Sequence, residues 1–143
     1  MSFETGPYLS AAVLCQSVLE EKDGVVTLVR LIDRLLIASQ GPEAPPTLPP
    51  TSINLTAVIW LRSGEARGSH TLKLRPELPS GQSLDAAQVT VHLEGEERGA
   101  RSVINVNLVA EQEGLYWFDV LFDDTLLTRI PFRVIYQRLT AGG

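Results

Sequence analysis

The sequence predicts an all-β protein, an antiparallel β-sandwich of seven to eight strands that forms a single domain over residues 1–143. Short runs of alternating apolar and polar residues indicate strands, and turns rich in glycine, proline or charge separate them. The stretch from Glu113 to Tyr136 indicates a β-hairpin with one shared apolar face. A chain of 143 residues buries enough surface to fold without a disulfide or a structural metal.

Residues 8–20 and 25–37 form the first predicted hairpin, because Asp23-Gly24 between two apolar runs is a strong signal for a tight turn. The leucines and the isoleucine of 25–37 also fit the spacing of a helix, so this run stays open between strand and helix. The turn and the β-branched residues that follow it favour the strand.

Residues 38–52 differ from the rest of the chain, since they carry five prolines and show no periodicity. We expect an extended loop that crosses from one sheet to the other. The alternative is a ligand for a proline-reading domain, because Pro42 with Pro45 and Pro46 with Pro49 each form a P-x-x-P motif.

Four more strands are predicted in the middle of the chain, at 53–62, 70–75, 88–93 and 101–110. Each alternates between apolar and polar residues, as a strand with one buried face does. Loops are expected at 63–69 and 76–85, and an acidic turn is expected at 94–100.

The burial pattern selects the register of the C-terminal hairpin. A three-residue loop, Asp123-Asp124-Thr125, places the apolar residues of both arms on one face. The predicted cross-strand pairs are Phe122 with Leu126, Phe118 with Ile130, and Tyr116 with Phe132. Pro131 has no N–H to donate, so the last strand is predicted to be an edge strand or to be bulged there.

The start of this hairpin resembles the approach to strand F of immunoglobulin-like domains. Gln112, Gly114 and Tyr116 occupy the positions of a tyrosine corner, and Phe118 stands where those domains have a disulfide cysteine. The fold class implied is an immunoglobulin-like sandwich that lacks the disulfide.

More of the chain resembles an uncharacterised family of small bacterial immunoglobulin-like β-sandwich proteins. The residues that carry this resemblance are Cys15, Asp23, Gly24, Thr27, Leu28, Arg30, Asp33, Gly114, Tyr116, Phe118 and Val120. The resemblance implies the fold and no established activity, so it transfers no catalytic residues.

Composition and motifs argue against several functional classes. The net charge of −5 opposes binding to a nucleic-acid backbone. The N-terminal residues have neither the basic start of a signal peptide nor the long apolar run of a membrane span. No catalytic motif or metal-ligand spacing is present, so we expect no enzyme and no cofactor. His70 and His92 fall on polar faces and are expected to be solvated.

Cys15 is the single cysteine and lies in an apolar run. An internal disulfide is therefore impossible, and we expect a small buried hydrophobe rather than a nucleophile. Cysteine usage of this kind favours a reducing, cytoplasmic location.

Apolar residues on nominally outward strand faces indicate a protein-interaction surface. By alternation, seven candidate residues point away from the core or flank those that do: Val58, Trp60, Leu115, Trp117, Leu121, Arg129 and Ile135. Tryptophan and arginine are typical of interaction hot spots. We therefore expect a non-enzymatic, intracellular interaction or assembly module, whose partner is another protein or a second copy bound through this face or the last strand.

Two alternatives use other parts of the chain. A small-ligand or Ca²⁺ site would use acidic turn residues, namely Asp119, Asp123 and Asp124 or Glu94, Glu96 and Glu97. A ubiquitin-like modifier would use Gly142-Gly143 at the end of a flexible tail, 138–143.

Overall fold

The computed structural model describes residues 5–139, which contain seven β-strands and no helix. The strands are β1 (Tyr8–Glu20), β2 (Val26–Leu31), β3 (Arg34–Gln40), β4 (Thr51–Glu77), β5 (Ala87–Ala110), β6 (Gly114–Phe122) and β7 (Thr125–Leu139). The predicted all-β fold class is therefore confirmed, and the run 25–37 is strand rather than helix.

Hydrogen bonds join the strands in the order β2-β1-β4-β6-β7-β3, and β5 pairs with β4 along its length. The first part of β4, 51–62, pairs with β1 and with residues 99–110 of β5. The second part, 68–77, pairs with β6, and its residues 68–74 also pair with residues 87–93 of β5. Two layers result: a first layer of β2, β1 and the 51–62 and 99–110 segments, and a second layer of the remaining β4 and β5 segments with β6, β7 and β3.

The predicted loops at 63–69 and 94–100 are the bent middle of the β4–β5 ribbon, so four predicted strands are two long ones. Register shifts lie between Arg62 and Gly64 and between Gly64 and Arg67. Gly64 has φ +60°, and a Cβ there would clash with the backbone carbonyl of Thr5. The glycines that suggested loops therefore bend a continuous ribbon from one layer to the other.

The predicted strand 25–37 is divided at Ile32-Asp33 into two strands in different layers. β2 pairs antiparallel with β1, whereas β3 pairs with β7 in the single parallel pairing of residues 5–139. The N–H of Ile32 donates to Leu14 O, and Asp33 O accepts from the N–H of Arg133. The crossing residues are thus bonded to both layers.

The proline-rich connection is shorter than the predicted 38–52, since β3 extends to Gln40 and β4 begins at Thr51. It leads from the second layer to the first, as a crossing loop does. Ala44 and Leu48 are buried, and Tyr136 Oη donates to Pro45 O over 2.7 Å. The loop is therefore docked on the domain rather than held out as an extended proline ligand.

The hairpin of β6 and β7 has two of its three predicted pairs, Phe118 with Ile130 and Tyr116 with Phe132. The predicted pair of Phe122 with Leu126 is wrong. Asp123 and Asp124 have φ of 45° and 67° and form a two-residue turn, so Phe122 pairs with Thr125. A bulge between Val120 and Leu121 then restores the predicted register and leaves Leu126 half exposed.

Two other features of this hairpin agree with the sequence. Tyr116 is 1% exposed and its Oη donates to Gln112 O over 2.7 Å, which is the predicted tyrosine corner. Pro131 lies before β3 joins β7 at Arg133, so in residues 5–139 one side of β7 has no paired strand there. From Arg133 to Leu139 β3 covers β7, so this part is not the free edge that was predicted for self-association.

The core lies between the two layers and contains side chains of both. Ile59 and Leu61 of the first layer share one buried cluster with Leu72, Phe118 and Phe132 of the second. Each such side chain stabilises the fold by about 1.5–3 kcal/mol relative to an exposed one. The two layers therefore form an immunoglobulin-like sandwich closed by a single core.

Candidate interaction surface

The outward side of the second layer brings four of the seven candidate residues to one face. Trp117 of β6 lies between Glu77 of β4 and Pro131 of β7, and two residues along β6 Asp119 lies between Arg75 and Arg129. In the other direction Leu115 pairs with Arg133, and farther along β7 Ile135 pairs with Leu36 of β3. We call this side the Trp117 face, defined by Leu36, Glu77, Leu115, Trp117, Asp119, Arg129, Pro131, Arg133 and Ile135.

The guanidinium of Arg129 is fixed from three directions. Its Cζ lies 4.6 Å from the centroid of the Trp117 ring, its Nε donates to Asp119 Oδ1 over 2.7 Å, and its Nη2 donates to Glu77 Oε2 over 2.6 Å. The two carboxylates hold the planar cation against the indole. Trp117 is consequently half-buried by a charged group of its own sheet.

Asp119 is the buried anchor of this arrangement and is 4% exposed. Arg75 Nη2 donates to its second carboxylate oxygen over 3.1 Å. Burial alone would raise the pKa of Asp119, but the hydrogen bonds and charges of Arg129 and Arg75 outweigh it and lower the pKa. The carboxylate is therefore ionised at neutral pH and balances two arginines.

The other end of the face is apolar with basic neighbours. Leu115 and Ile135 are half-buried, and Leu36 is 56% exposed. Arg133 is exposed beside them, and no acidic side chain in the range 5–139 lies within 4.0 Å of it. A partly exposed apolar strip therefore lies next to an arginine that forms no salt bridge within the described residues.

Leu121 was a candidate for this face, but it is 8% exposed between its neighbours Lys73 and Leu126. It contributes to folding rather than to a free surface.

The remaining two candidates, Val58 and Trp60, lie in the first layer, where they do not form a free surface. Glu20 Oε1 lies 3.6 Å from Arg101 Nη2. In the strand pairing, however, Arg101 lies opposite Trp60, and Trp60 lies opposite Ala11 of β1. Glu20 is nine residues farther along β1 than Ala11. A straight strand would separate them by about 30 Å, so the second half of β1 must fold back.

The hairpin of β2 and residues 15–20 of β1 therefore covers the outward side of the first layer around Val58, whereas Val103 and Val109 of β5 stay exposed. Val18 and Leu28 pair across this hairpin on the same side as Glu20, and both are half-buried. Val58 is 2% exposed although it is outside the main core cluster. The prediction of an exposed Val58 is thus wrong, because alternation gives the direction of a side chain but not what covers it.

Trp60 is also shielded, in its case by arginines. The Cζ atoms of Arg62 and Arg101 each lie 5.6 Å from its ring centroid. Arg62 is itself held by Ser10 Oγ and Glu97 O. Trp60 and Trp117 therefore lie on different layers and do not form one surface.

His70 is half-buried and paired rather than freely solvated, whereas His92 is exposed as predicted. His70 Nδ1 lies 2.6 Å from Asp123 Oδ2, its Nε2 donates to Arg67 O over 2.8 Å, and its ring lies 4.8 Å from that of Phe122. The hydrogen bond to Asp123 outweighs partial burial and raises the pKa of His70. The pair fastens the β6–β7 turn to β4.

The aspartates considered for Ca²⁺ point to different cationic partners. Asp119 pairs with two arginines, Asp123 with His70, and Asp124 with Lys73 over 2.7 Å. No group of three or more histidine, cysteine or acidic side chains converges among the described residues. Glu94 pairs with Arg98 in the bent ribbon. The geometry gives the calcium alternative no support.

Cys15 is fully buried and free, as predicted. Burial raises the pKa of its thiol, which disfavours the nucleophilic thiolate. The Gly142-Gly143 tail lies outside the described residues. No helix in the described part of the chain is long and apolar enough to cross a membrane.

Sequence reasoning missed Glu77, Leu36 and the buried state of Asp119 on the Trp117 face. The sequence did contain a signal for the pairing of Asp119. It lies on the same side of β6 as Trp117 and Leu121, and the predicted register places Arg129 opposite it. Leu36 had no such signal, because its place depends on the parallel pairing of β3 with β7.

Two solved structures are among those similar to this chain. An immunoglobulin-like protein (PA1606) from Pseudomonas aeruginosa is similar to the chain, with 16% sequence identity, a TM-score of 0.46 and coverage of 92% of this chain and 98% of that one. The CARDB domain of the PF1109 protein from Pyrococcus furiosus, solved in complex with di-metal ions, has 13% identity, a TM-score of 0.45 and coverage of 94% and 93%. Identities this low transfer neither ligands nor site residues.

Among curated proteins, none is significantly similar in sequence to this chain. A family model matches residues 10–135, which include nearly the whole sandwich, and it confirms the resemblance to an uncharacterised family. The chain belongs to DUF6941, a family of unknown function.

Proposed function

We propose that this protein is a non-enzymatic binding module that contacts another protein through the Trp117 face. The observation that carries the proposal is the Arg129 guanidinium held on Trp117 by Asp119 and Glu77, beside the exposed Leu36 and Arg133. Tryptophan and arginine are the residues most enriched in binding hot spots. A cytoplasmic location fits the proposal, since the lone Cys15 is a free thiol.

Preorganisation supports a binding role for this face. A flexible arginine loses side-chain entropy when it is immobilised by a partner, at a cost of about 0.5–1.5 kcal/mol. Arg129 is already immobilised by its own sheet, so this cost is small. A sheet surface with fixed aromatic and cationic groups is suited to the surface of a folded protein.

The charges of the face indicate the chemistry of the partner. Arg129 is balanced by Asp119 and Glu77, whereas Arg133 forms no salt bridge within residues 5–139, and the nearby Glu113 carboxylate accepts from the Tyr136 N–H. A partner with an apolar patch and an adjacent carboxylate would complement Leu36, Ile135 and Arg133.

The test compares partners recovered from cells by wild type, by the face variants Leu36→Glu and Arg133→Glu, and by the matched controls Leu19→Glu and Arg98→Glu. All four positions are exposed, so the variants should fold, and Leu19 and Arg98 lie away from the Trp117 face. We expect a protein that wild type and controls retain and both face variants lose. Equal recovery by all variants, or no specific partner of the wild type, would contradict the proposal.

A second candidate function, small-ligand binding, has one observation in its favour. A cleft of about 320 Å³ lies between β1 and β7, with apolar walls that include Leu14, Leu31 and Ile130 and with Asp33 at its side. Apolar walls with a single charged group suit a small amphipathic cation. A rise in melting temperature with alkylamines, abolished by Asp33→Asn, would support it, and no rise would reject it.

A further inference from the structure

The second half of β5 is an open sheet edge. β5 has 24 residues, and within residues 5–139 it pairs with β4 alone. Its residues 99–110 therefore form the outer strand of the first layer, with the free side facing solvent. An unpaired edge presents backbone N–H and C=O groups that another strand can bind, and proteins usually protect such edges with charges, prolines or bulges.

None of these protective features occurs in residues 102–110. The segment is Ser-Val-Ile-Asn-Val-Asn-Leu-Val-Ala, without a charge or a proline, and its pairing with β4 has no register shift. Val103 is 47% exposed and Val109 is 55% exposed, and both point outward. The bent part of β5, by contrast, carries Glu94, Glu96, Glu97 and Arg98, which keep that part of the edge soluble.

The segment is also a palindrome in residue type about Val106. If a second copy ran antiparallel beside it with Val106 opposite Val106, Val103 would face Val109 and Asn105 would face Asn107 on the outward side. On the inward side Ile104 would face Leu108. Every cross-strand pair then joins like with like, which is what a two-fold interface requires.

We propose that two copies of this chain pair edge to edge through residues 102–110 of β5, in antiparallel register about a two-fold axis at Val106. The first layers of the two copies then form one continuous sheet. A cleft of about 220 Å³ beside this edge, lined by Leu74, Pro76, Asp85, Ala87 and Asn105 to Asn107, leaves space at the junction, with Asp85 as its one charged group. The Trp117 face lies on the other layer, so this interface is independent of the proposed partner surface.

Sedimentation equilibrium tests the association. An interface made of one strand from each copy buries less than the roughly 1,200 Å² of standard interfaces, so we expect a dimer whose population rises with protein concentration. Val109→Lys places a charge opposite Val103 and should abolish the dimer. Leu31→Lys, an equally exposed position on β2, should leave it intact. A wild type that stays monomeric at high concentration, or a dimer unaffected by Val109→Lys, would overturn the proposal.

Disulfide trapping tests the register. A Val103→Cys copy mixed with a Val109→Cys copy should give a cross-linked heterodimer under mild oxidation, because these positions face each other across the axis. Either variant alone should not cross-link, since two copies of one position lie about 20 Å apart. Cys15 is buried and should not interfere. Cross-linking within each single variant and none specific to the mixture would overturn the register.

Discussion

The guanidinium of Arg129 lies over the indole ring of Trp117, 4.6 Å from its centroid. The same guanidinium reaches the buried Asp119 and the more exposed Glu77. A contact of this type stabilises by about 0.5–1 kcal/mol at an exposed site. Its larger consequence is that a tryptophan and an arginine, residue types typical of binding hot spots, keep fixed positions on this face.

Replacing Asp119 by asparagine should destabilise the protein by about 2 kcal/mol, because two arginines lose their shared, buried carboxylate. The figure lies below that of a fully buried pair, since both arginines are partly exposed. Urea unfolding measures the change. Asp124→Asn, at a site whose side chain is 78% exposed, should cost less than about 0.5 kcal/mol. Equal effects of the two substitutions would contradict the anchoring role of Asp119.

Tyr116→Phe should cost about 1–2 kcal/mol, because it removes the hydrogen bond to Gln112 O from a residue that is 1% exposed. The matched control is Tyr8→Phe, whose hydroxyl bonds to Thr5 at the surface and whose loss should be close to neutral. Thermal unfolding of both variants distinguishes them. A neutral Tyr116→Phe would show that the tyrosine corner does not stabilise this fold.

Val58→Thr should cost about 1–2 kcal/mol, because a hydroxyl would be buried beneath the β1–β2 hairpin. Val25→Thr, the same change at a residue that is 57% exposed, should change the stability by less than about 0.5 kcal/mol. Chemical denaturation of the two variants gives the comparison. If Val58→Thr were as mild as Val25→Thr, the hairpin would not cover the first layer.

The His70–Asp123 contact should make stability depend on pH. The pKa of His70 is raised in the folded protein, chiefly by its hydrogen bond to Asp123, so the folded state binds a proton more tightly than the unfolded chain. Its contribution is complete below the usual value of about 6.5 and is lost as the pH rises through the raised value. The difference in melting temperature between wild type and His70→Gln should therefore shrink as the pH rises from 5.5 to 8.5, about one unit below and two units above the usual pKa of histidine. Parallel curves would show that the ion pair contributes nothing.

Local pattern was sufficient for the middle of the C-terminal hairpin but not for its turn. Alternation placed Phe118 opposite Ile130, because that register buries both aromatic and aliphatic sets. A three-residue loop and a two-residue turn followed by a bulge give the same register beyond the bulge. The positive φ angles of Asp123 and Asp124 separate the two, and the apolar pattern does not encode them.

The local pattern of apolar and polar residues could not predict where the chain crosses from one layer to the other. Glycine and charge around Gly64 and Gly95 are typical of loops, yet they bend a continuous ribbon. Likewise Ile32-Asp33 interrupts a strand whose two parts join different layers. Both outcomes depend on tertiary contacts rather than on strand propensity.

For the candidate surface, alternation in the sequence predicted which side chains point away from the core. It could not predict which of these side chains are covered by another part of the chain. Trp117 and Val58 have the same outward parity, but Val58 is beneath the folded hairpin and Trp117 lies beneath a single arginine. Whether another part of the chain covers a sheet face depends on contacts between residues that are distant in sequence. The alternation pattern therefore predicted both residues to be exposed.

Hydroxyl-radical footprinting of the protein, free and bound to the partner recovered with the wild type, tests binding through the Trp117 face. We expect binding to protect Trp117, Leu36 and Ile135 from oxidation, while Trp60 on the other layer reacts equally in both states. Protection of Trp60, or unchanged oxidation of Trp117 in the complex, would contradict a binding surface on the Trp117 face.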